Sequence, residues 1–376
     1  MKRRFNEEYT RSVDSLCFSP EAKEAMIRSL TAESVRQKKG KQYTMKKALY
    51  IALAAALLVA TMTGAAVYTR WSASLRQTEN TTQEQREEAE KTGLALRPDE
   101  TTNEGDVTTA IKNGVTISLT QALVDQNTAN LVFTVSGYEV AQGEDPSMMM
   151  DLEFGKEISY GASGSWYYKP YKQVGDAFQL EDGTTIPMDS DGGPEYIDYH
   201  NDDGNLEYLC SIQSPDLSAL FGTALKFHIS ELGTSEHALH STRVLGPWEL
   251  SWTVQGSSDS TTVTVEKPIG DTGIVLKEVT LTPMNLEVLL QLKEEFKGFD
   301  ELEPFRPCVL GVRTRDGQEL KNFGGGGGDT YEDREKGLYR MRRGFDGILD
   351  ADQVDAILFG DWDKDGNEIV YTVELP

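Results

Sequence analysis

The sequence predicts a mainly β protein carried on a membrane: a short cytoplasmic helical segment (1–47), one transmembrane helix (48–68), a flexible stalk (69–106) and two extracytoplasmic β-sandwich-like domains (107–255 and 256–376). Three observations predict this. Residues 48–68 carry no charged side chain. Apolar residues recur every three to four positions before that run and every second position beyond residue 107. The charge balance reverses across the run, from 12 basic and 6 acidic residues in 1–47 to 25 basic and 55 acidic in 69–376.

The first segment reads as two short amphipathic helices. Phe5, Tyr9, Val13 and Leu16 recur at offsets of four, four and three, which aligns them on one face. Ser19 then suits an N-cap, Pro20 the first helical position, and Glu21 and Glu24 the positive end, while Ala22, Met26, Ile27 and Leu30 form the next apolar stripe. Helices this short are marginal alone in water, so the stripe needs another surface, a partner protein or the inner leaflet. The six acids interspersed through it favour a protein. The candidate partner-binding residues are Phe5, Tyr9, Leu16, Phe18, Met26, Ile27 and Leu30.

As a helix, the 21 uncharged residues span about 32 Å, enough for a hydrocarbon core of about 30 Å. Lys38, Lys39, Lys41, Lys46 and Lys47 crowd the entrance, so the N-terminus is expected in the cytoplasm and the remainder outside. A cleaved signal peptide competes, with small residues at Ala65-Ala66 and Ser72-Ala73-Ser74. The run is longer than the apolar region of such peptides and some 47 residues precede it, which favours an anchor. No Cys follows closely enough for a lipidated anchor.

Between residues 77 and 106 the large apolar residues are Leu94 and Leu96, and Thr, Glu, Gln and Asn dominate. Such a stretch buries too little to offset its ordering entropy, hence the expectation of a stalk, helical at most around 84–91. From residue 107 the period is two. Val115, Ile117 and Leu119 alternate with polar residues, and Asp125-Gln126-Asn127 turns the chain into an apolar run over 131–135. Further strands are expected at 225–230, 248–254, 261–265, 274–281, 286–292, 308–313, 356–359 and 369–375. Residues 155–203 read as decorated loops, with Trp166, Tyr167, Tyr168 and Tyr171 either core-facing or a stacking surface, the former preferred. The run Gly324 to Gly328 reads as a loop, without the GK[ST] of a phosphate cradle.

The formal net charge of −24 argues against nucleic acid and anionic lipid as partners of the outer part. Hydrolase and redox motifs (HExxH, GxSxG, SxxK, CxxC) are missing from the sequence, and Lys91-Thr92-Gly93 stands without its serine partner, so no catalytic residue, metal or cofactor is expected. His237 and His240 are too few for a metal site. The segment Asp361 to Asn367 begins like a calcium loop but has Thr372 where a bidentate Glu is required; a hairpin turned at Asp365-Gly366 is the simpler reading. Cys210 and Cys308 are read as free thiols, with a disulfide as the alternative.

Several of these segments resemble a known family. Ser15-Leu16-Cys17-Phe18-Ser19-Pro20-Glu21, the Lys46-Lys47 entry to the apolar run, Asn113-Gly114-Val115-Thr116-Ile117-Ser118-Leu119 and Leu123-Val124-Asp125 look like membrane proteins of the domain of unknown function 4179 family of Gram-positive bacteria. In that family an outer β region follows the span and a further β domain often succeeds it. Gly246-Pro247-Trp248-Glu249-Leu250 is similar to that boundary, and the resemblance covers most of the chain. It implies an anti-sigma factor, with a cytoplasmic sigma factor held by the inner helices and an envelope ligand sensed outside. The inner segment has Cys17 alone and no His, unlike zinc-binding anti-sigma domains, so such binding is expected to be metal-free. The rival expectation is an envelope-binding or structural surface protein with a merely topogenic N-terminus.

Overall fold

The computed structural model describes residues 71–78, 81–100, 103–236, 239–292, 308–321, 327–345, 347–362 and 368–376, all within one compact unit spanning Val67–Pro376. The predicted inner helices, with Phe5, Tyr9, Leu16, Phe18, Met26, Ile27 and Leu30, lie outside the described residues, as does the predicted span. No described helix is long and apolar enough to cross a membrane.

Two helices lead, α1 (Ala73–Thr78) and α2 (Gln83–Lys91), followed by β1 (Ala95–Leu96), β2 (Thr109–Lys112), β3 (Val115–Val124), β4 (Thr128–Ser136), β5 (Asp145–Phe154), β6 (Gly161–Trp166), β7 (Tyr171–Val174), β8 (Ala177–Leu180), β9 (Thr185–Pro187), β10 (Leu206–Gln213), β11 (Ala224–Glu236) and β12 (Leu239–Thr253). One sheet runs β1-β3-β4-β10-β6, with β2 also paired to β3; a second runs β12-β11-β5; β7-β8-β9 form a small third. The first two face each other across a core in which Ile117, Leu119, Phe133 and Ile212 meet Phe227, Ile229, Trp248 and Trp252. Phe133 and Phe227 pack edge to face, ring centres 5.0 Å apart.

Turn chemistry sets the register. Asn113 and Gly114 both have positive φ, 50° and 82°, as a two-residue hairpin between β2 and β3 requires. Asp125 to Asn127 turns β3 into β4, the predicted hairpin, with Val124 opposite Ala129.

The second set comprises β13 (Thr261–Pro268), β14 (Val275–Leu281), β15 (Asn285–Gln291), β16 (Cys308–Thr314), β17 (Glu319–Leu320), β18 (Gly327–Asp333), β19 (Leu338–Gly344), β20 (Val354–Trp362) and β21 (Glu368–Glu374). Sheets β13-β14-β15-β19-β18 and β17-β16-β20-β21 enclose a separate core that includes Leu276, Val279, Val288, Val312, Ile357 and Phe359. Each strand predicted from alternation is present, and the protein is mainly β with sandwich-like sheets.

Three expectations change. Residues 155–203 hold strands β6 to β9 as well as loops, because Gly161 to Ser165 present small residues that pair with β10 without the apolar alternation that marks a half-buried strand. Gly327 and Gly328 open β18; a side chain on Gly327 would stand 2.2 Å from the Arg342 carbonyl oxygen, so close strand approach, not loop freedom, needs that glycine. The expected stalk is the largest correction: Trp71, Leu75, Ala89, Leu94 and Ala95 are all buried.

Cys210, buried in β10, and Cys308, half-buried in β16, are free thiols. β20 and β21 pair as a hairpin with Trp362 opposite Glu368; residues 363–367 of the calcium-like segment lie outside the described residues. Among the described residues no cluster of His, Cys, Asp and Glu could hold a metal ion.

Candidate functional site

The leading segment meets both β bodies at one junction, and its polar groups are fixed by two buried carboxylates. The first is Glu207 on β10, only 4% exposed. Its carboxylate accepts hydrogen bonds from the Ser74 amide and the Ser74 hydroxyl, each at 2.8 Å, from the Ala73 amide at 3.2 Å and from Asn201 Nδ2 at 2.8 Å. A negative group at the start of α1 satisfies amides that have no partner within the helix and complements its dipole. Beside it, Gln121 Oε1 on β3 accepts the Ser72 amide at 2.7 Å. The Ser72 hydroxyl accepts the Leu75 amide at 3.3 Å, closing the cap.

Packing adds to this. Trp71, Leu75, Ala89, Leu94 and Ala95 cover Leu123, Val132 and Leu209 on β3, β4 and β10. The first sheet is thus buried on both faces, with its sandwich core on one side and the leading segment on the other. Arg86 of α2 lies over the Trp71 ring, 5.5 Å from its centre, and donates from Nε to Thr81 Oγ1 at 2.8 Å. A capping box between Thr82 and Gln85 starts α2. The Leu94 carbonyl accepts the Val124 amide at 2.9 Å, and Ala95 and Leu96 pair with Leu123 and Ala122.

The second carboxylate is Asp125, fully buried where β3 turns into β4. Its Oδ1 accepts the Asn127 and Thr128 amides at 2.9 and 2.8 Å, the local turn. Its Oδ2 crosses to the second body, accepting the Met284 amide at 3.1 Å, Asn285 Nδ2 at 3.0 Å and the Thr282 hydroxyl. Thr128 Oγ1 in turn donates to Asn285 Oδ1 at 3.2 Å. Met284 joins the apolar cluster under Trp71, with Ile348 packed against it, and Gln85 of α2 donates to the Ile348 carbonyl at 2.8 Å. The leading segment therefore touches both bodies at the place where they are tied to each other.

What this arrangement can do is transmit position. Lifting α1 away would strip Glu207 of three of these four donors and Gln121 Oε1 of the Ser72 amide, and would bare an apolar face of the first sheet.

The predicted aromatic cluster divides. Trp166 packs on Tyr208 at 5.0 Å, Tyr167 is buried, and Tyr171 meets Phe178 at 5.3 Å, so these three face inward; Tyr168 stays exposed. Burial pushes the Tyr167 phenol up to about 12. His237 lies outside the described residues. Sequence reasoning missed Trp71, Leu75, Gln121 and Glu207, and read Asp125 as a turn residue alone. The usable signals were a Trp and a Leu one helical turn apart just beyond the apolar run, and a carboxylate at the mouth of an otherwise apolar hairpin.

No family model matches the chain, and no curated protein matches it. Among solved structures, that of the conserved domain protein from Bacillus anthracis is similar over 80% of this chain and 93% of its own, at 14% identity and a TM-score of 0.43. BspA_C_WT is similar over 66% of this chain and 93% of its own, at 9% identity and a TM-score of 0.11. At those TM-scores neither bears on what this chain does.

Proposed function

We propose that the chain is a single-pass membrane regulator of the anti-sigma type. Its residues 48–68 span the membrane with the N-terminus in the cytoplasm, its β bodies lie outside, and Phe5, Tyr9, Leu16, Phe18, Met26, Ile27 and Leu30 hold a sigma factor. The observation that carries the reading is the junction. Only Thr69 and Arg70 separate the apolar run from Trp71, and from Trp71 onward the chain is bolted to the first sheet through Gln121 and Glu207. A slack tether would isolate an inner segment from events outside; a docked one couples them, as a regulator needs and a passive surface anchor does not. The uncharged run, the basic inner flank and the apolar periodicity of residues 5–30 in the sequence support the same assignment.

The test is capture from native cytosol by the full-length protein in detergent, read by mass spectrometry, beside a Leu16→Asp/Met26→Asp/Leu30→Asp variant. A sigma factor held by the native protein and lost from the variant is the expected result. Equal recovery by both, or recovery of nothing specific, overturns the regulatory reading and leaves an envelope-binding protein.

A further inference from the structure

The sheet β12-β11-β5 turns one face to the core and the other to solvent, and that outer face changes character along its length. Two cross-strand rows are polar: Glu153, Lys226 and Ser251, then Asp151, His228 and Glu249. Lys226 Nζ lies 2.6 Å from Glu153 Oε1, and His228 Nδ1 lies 2.6 Å from Glu249 Oε1. The next row is Met149, Glu231 and Leu245. Met149 and Leu245 are each 58% exposed, and Glu231 between them is taken up by Arg243.

Strand β2 extends this row. Asn113 Nδ2 donates to the Leu245 carbonyl at 2.9 Å, Lys112 Nζ donates to the Gly246 carbonyl, and Val107 exchanges both backbone hydrogen bonds with Ser251. β2 thus runs beside β12 and carries Ile111, 74% exposed and two residues before the Asn113 contact with Leu245. Met149 and Leu245 in this row, with Ile111 on the adjoining strand, place three large exposed apolar side chains on one solvent-facing side, the composition of a docking surface rather than of a solvated wall.

Charge selects the occupant. Asp145, Asp151, Glu153, Glu231 and Glu249 stand around the row against Lys112, Lys226 and Arg243; with Glu153 paired to Lys226 and Glu231 to Arg243, the excess of negative charge lies at Asp145 and Asp151 on β5 and at Glu249, beside His228, on β12. Residues 69–376 carry 55 acidic against 25 basic side chains. A second copy of the chain or an anionic membrane would meet like charge. We propose that Met149, Leu245 and Ile111 form the docking surface for a cationic polypeptide, whose apolar side chains seat on the row while its basic residues meet the flanking carboxylates. This deepens the proposed function by naming the chemistry of the outer ligand; it rests on that reading for its consequence inside the cell, not for the binding itself.

The experiment uses the full-length protein in discs of zwitterionic lipid, with peptide bound by empty discs subtracted. The probes are two labelled 12-residue peptides, one alternating Leu and Lys and one alternating Leu and Glu, at 150 mM salt. The Leu/Lys peptide binds and the Leu/Glu peptide does not. Ile111→Ser/Met149→Ser/Leu245→Ser weakens binding by about tenfold or more, whereas Val174→Ser/Val370→Ser, at exposed apolar positions elsewhere, binds as the native protein does. Should the triple variant melt early, Ile111→Lys, a single surface change that repels the cationic peptide, replaces it and is expected to weaken binding. Unchanged binding by the row variants, equal binding of the two peptides, or self-association through this face overturns the proposal. Sigma-factor capture is scored on the same preparations: capture kept while peptide binding fails refutes only this surface, and the converse refutes only the inner assignment.

Discussion

Replacing Glu207 with Ala removes the acceptor for three donors of α1 and for Asn201, all in a place where water has little access. A hydrogen bond to a charged group is worth about 1.5–3 kcal/mol net, but the four are not additive, and losing the carboxylate also removes its own desolvation cost. A loss of about 3 kcal/mol follows, concentrated on the docking of α1 rather than on the sandwich core. At 1.36 kcal/mol per decade, native-state hydrogen exchange at the Ser74, Leu75 and Arg76 amides should speed up roughly 150-fold. Glu207→Gln, which keeps one acceptor oxygen, should fall between. Glu153→Ala, which removes an exposed ion pair with Lys226, should change exchange at α1 by less than about twofold. If Glu207→Ala leaves protection of α1 within about fivefold of the native value, the carboxylate does not fasten the segment and the coupling reasoning fails.

Asp125→Ala should cost about 3 kcal/mol, because it strands the Met284 amide and Asn285 Nδ2 in a buried joint, and calorimetry should then separate one cooperative transition into two. Deleting residues 71–100 should bare Leu123, Val132, Leu209 and Met284 and make the outer region associate, measurable by sedimentation, whereas deletion of a true stalk would leave it monodisperse. Burial pushes the Cys210 thiol from 9.0 up to about 12, so folding favours the neutral form. That contribution is complete below about pH 9 and is lost as pH rises to about 12, on the order of 4 kcal/mol in all; a Cys210→Ala variant should lack this part of the alkaline slope in denaturant melts. Gly256→Ala would put a methyl 2.7 Å from Val124 Cγ1 and from its carbonyl oxygen, and should lower stability by about 1–3 kcal/mol in the same melts.

Much of the β architecture was legible from local pattern alone. A half-buried strand must alternate, so Val115, Ile117 and Leu119 marked β3, and the apolar runs at 225–230 and 286–292 marked β11 and β15. The same rule failed for β6, whose Gly, Ala and Ser residues have no alternation to read, and for β18, where glycine answers to a carbonyl on β19. The hairpin at Asn113-Gly114 went unread, although both residue types tolerate the positive φ they adopt, because β2 is too short and polar to announce itself.

The sequence by itself determined the class of the protein: mainly β sheets, turned by Gly and Asx residues, beyond an uncharged run bordered by lysines. Those properties depend on neighbours a few positions away, which any reading of the chain includes. Only the tertiary structure decided that the segment after the run is a docked strap rather than a stalk. Its own composition is too polar to fold, and it is ordered by Glu207, 133 residues from Ser74, and by Gln121, 49 residues from Ser72. Asp125 likewise reads as a turn residue in sequence, and its second oxygen finds Met284 only 159 residues later. Long-range partners of this kind satisfy buried polar groups at positions that no local pattern encodes, because the energy that fixes them comes from desolvation in the folded state and not from propensity in the chain.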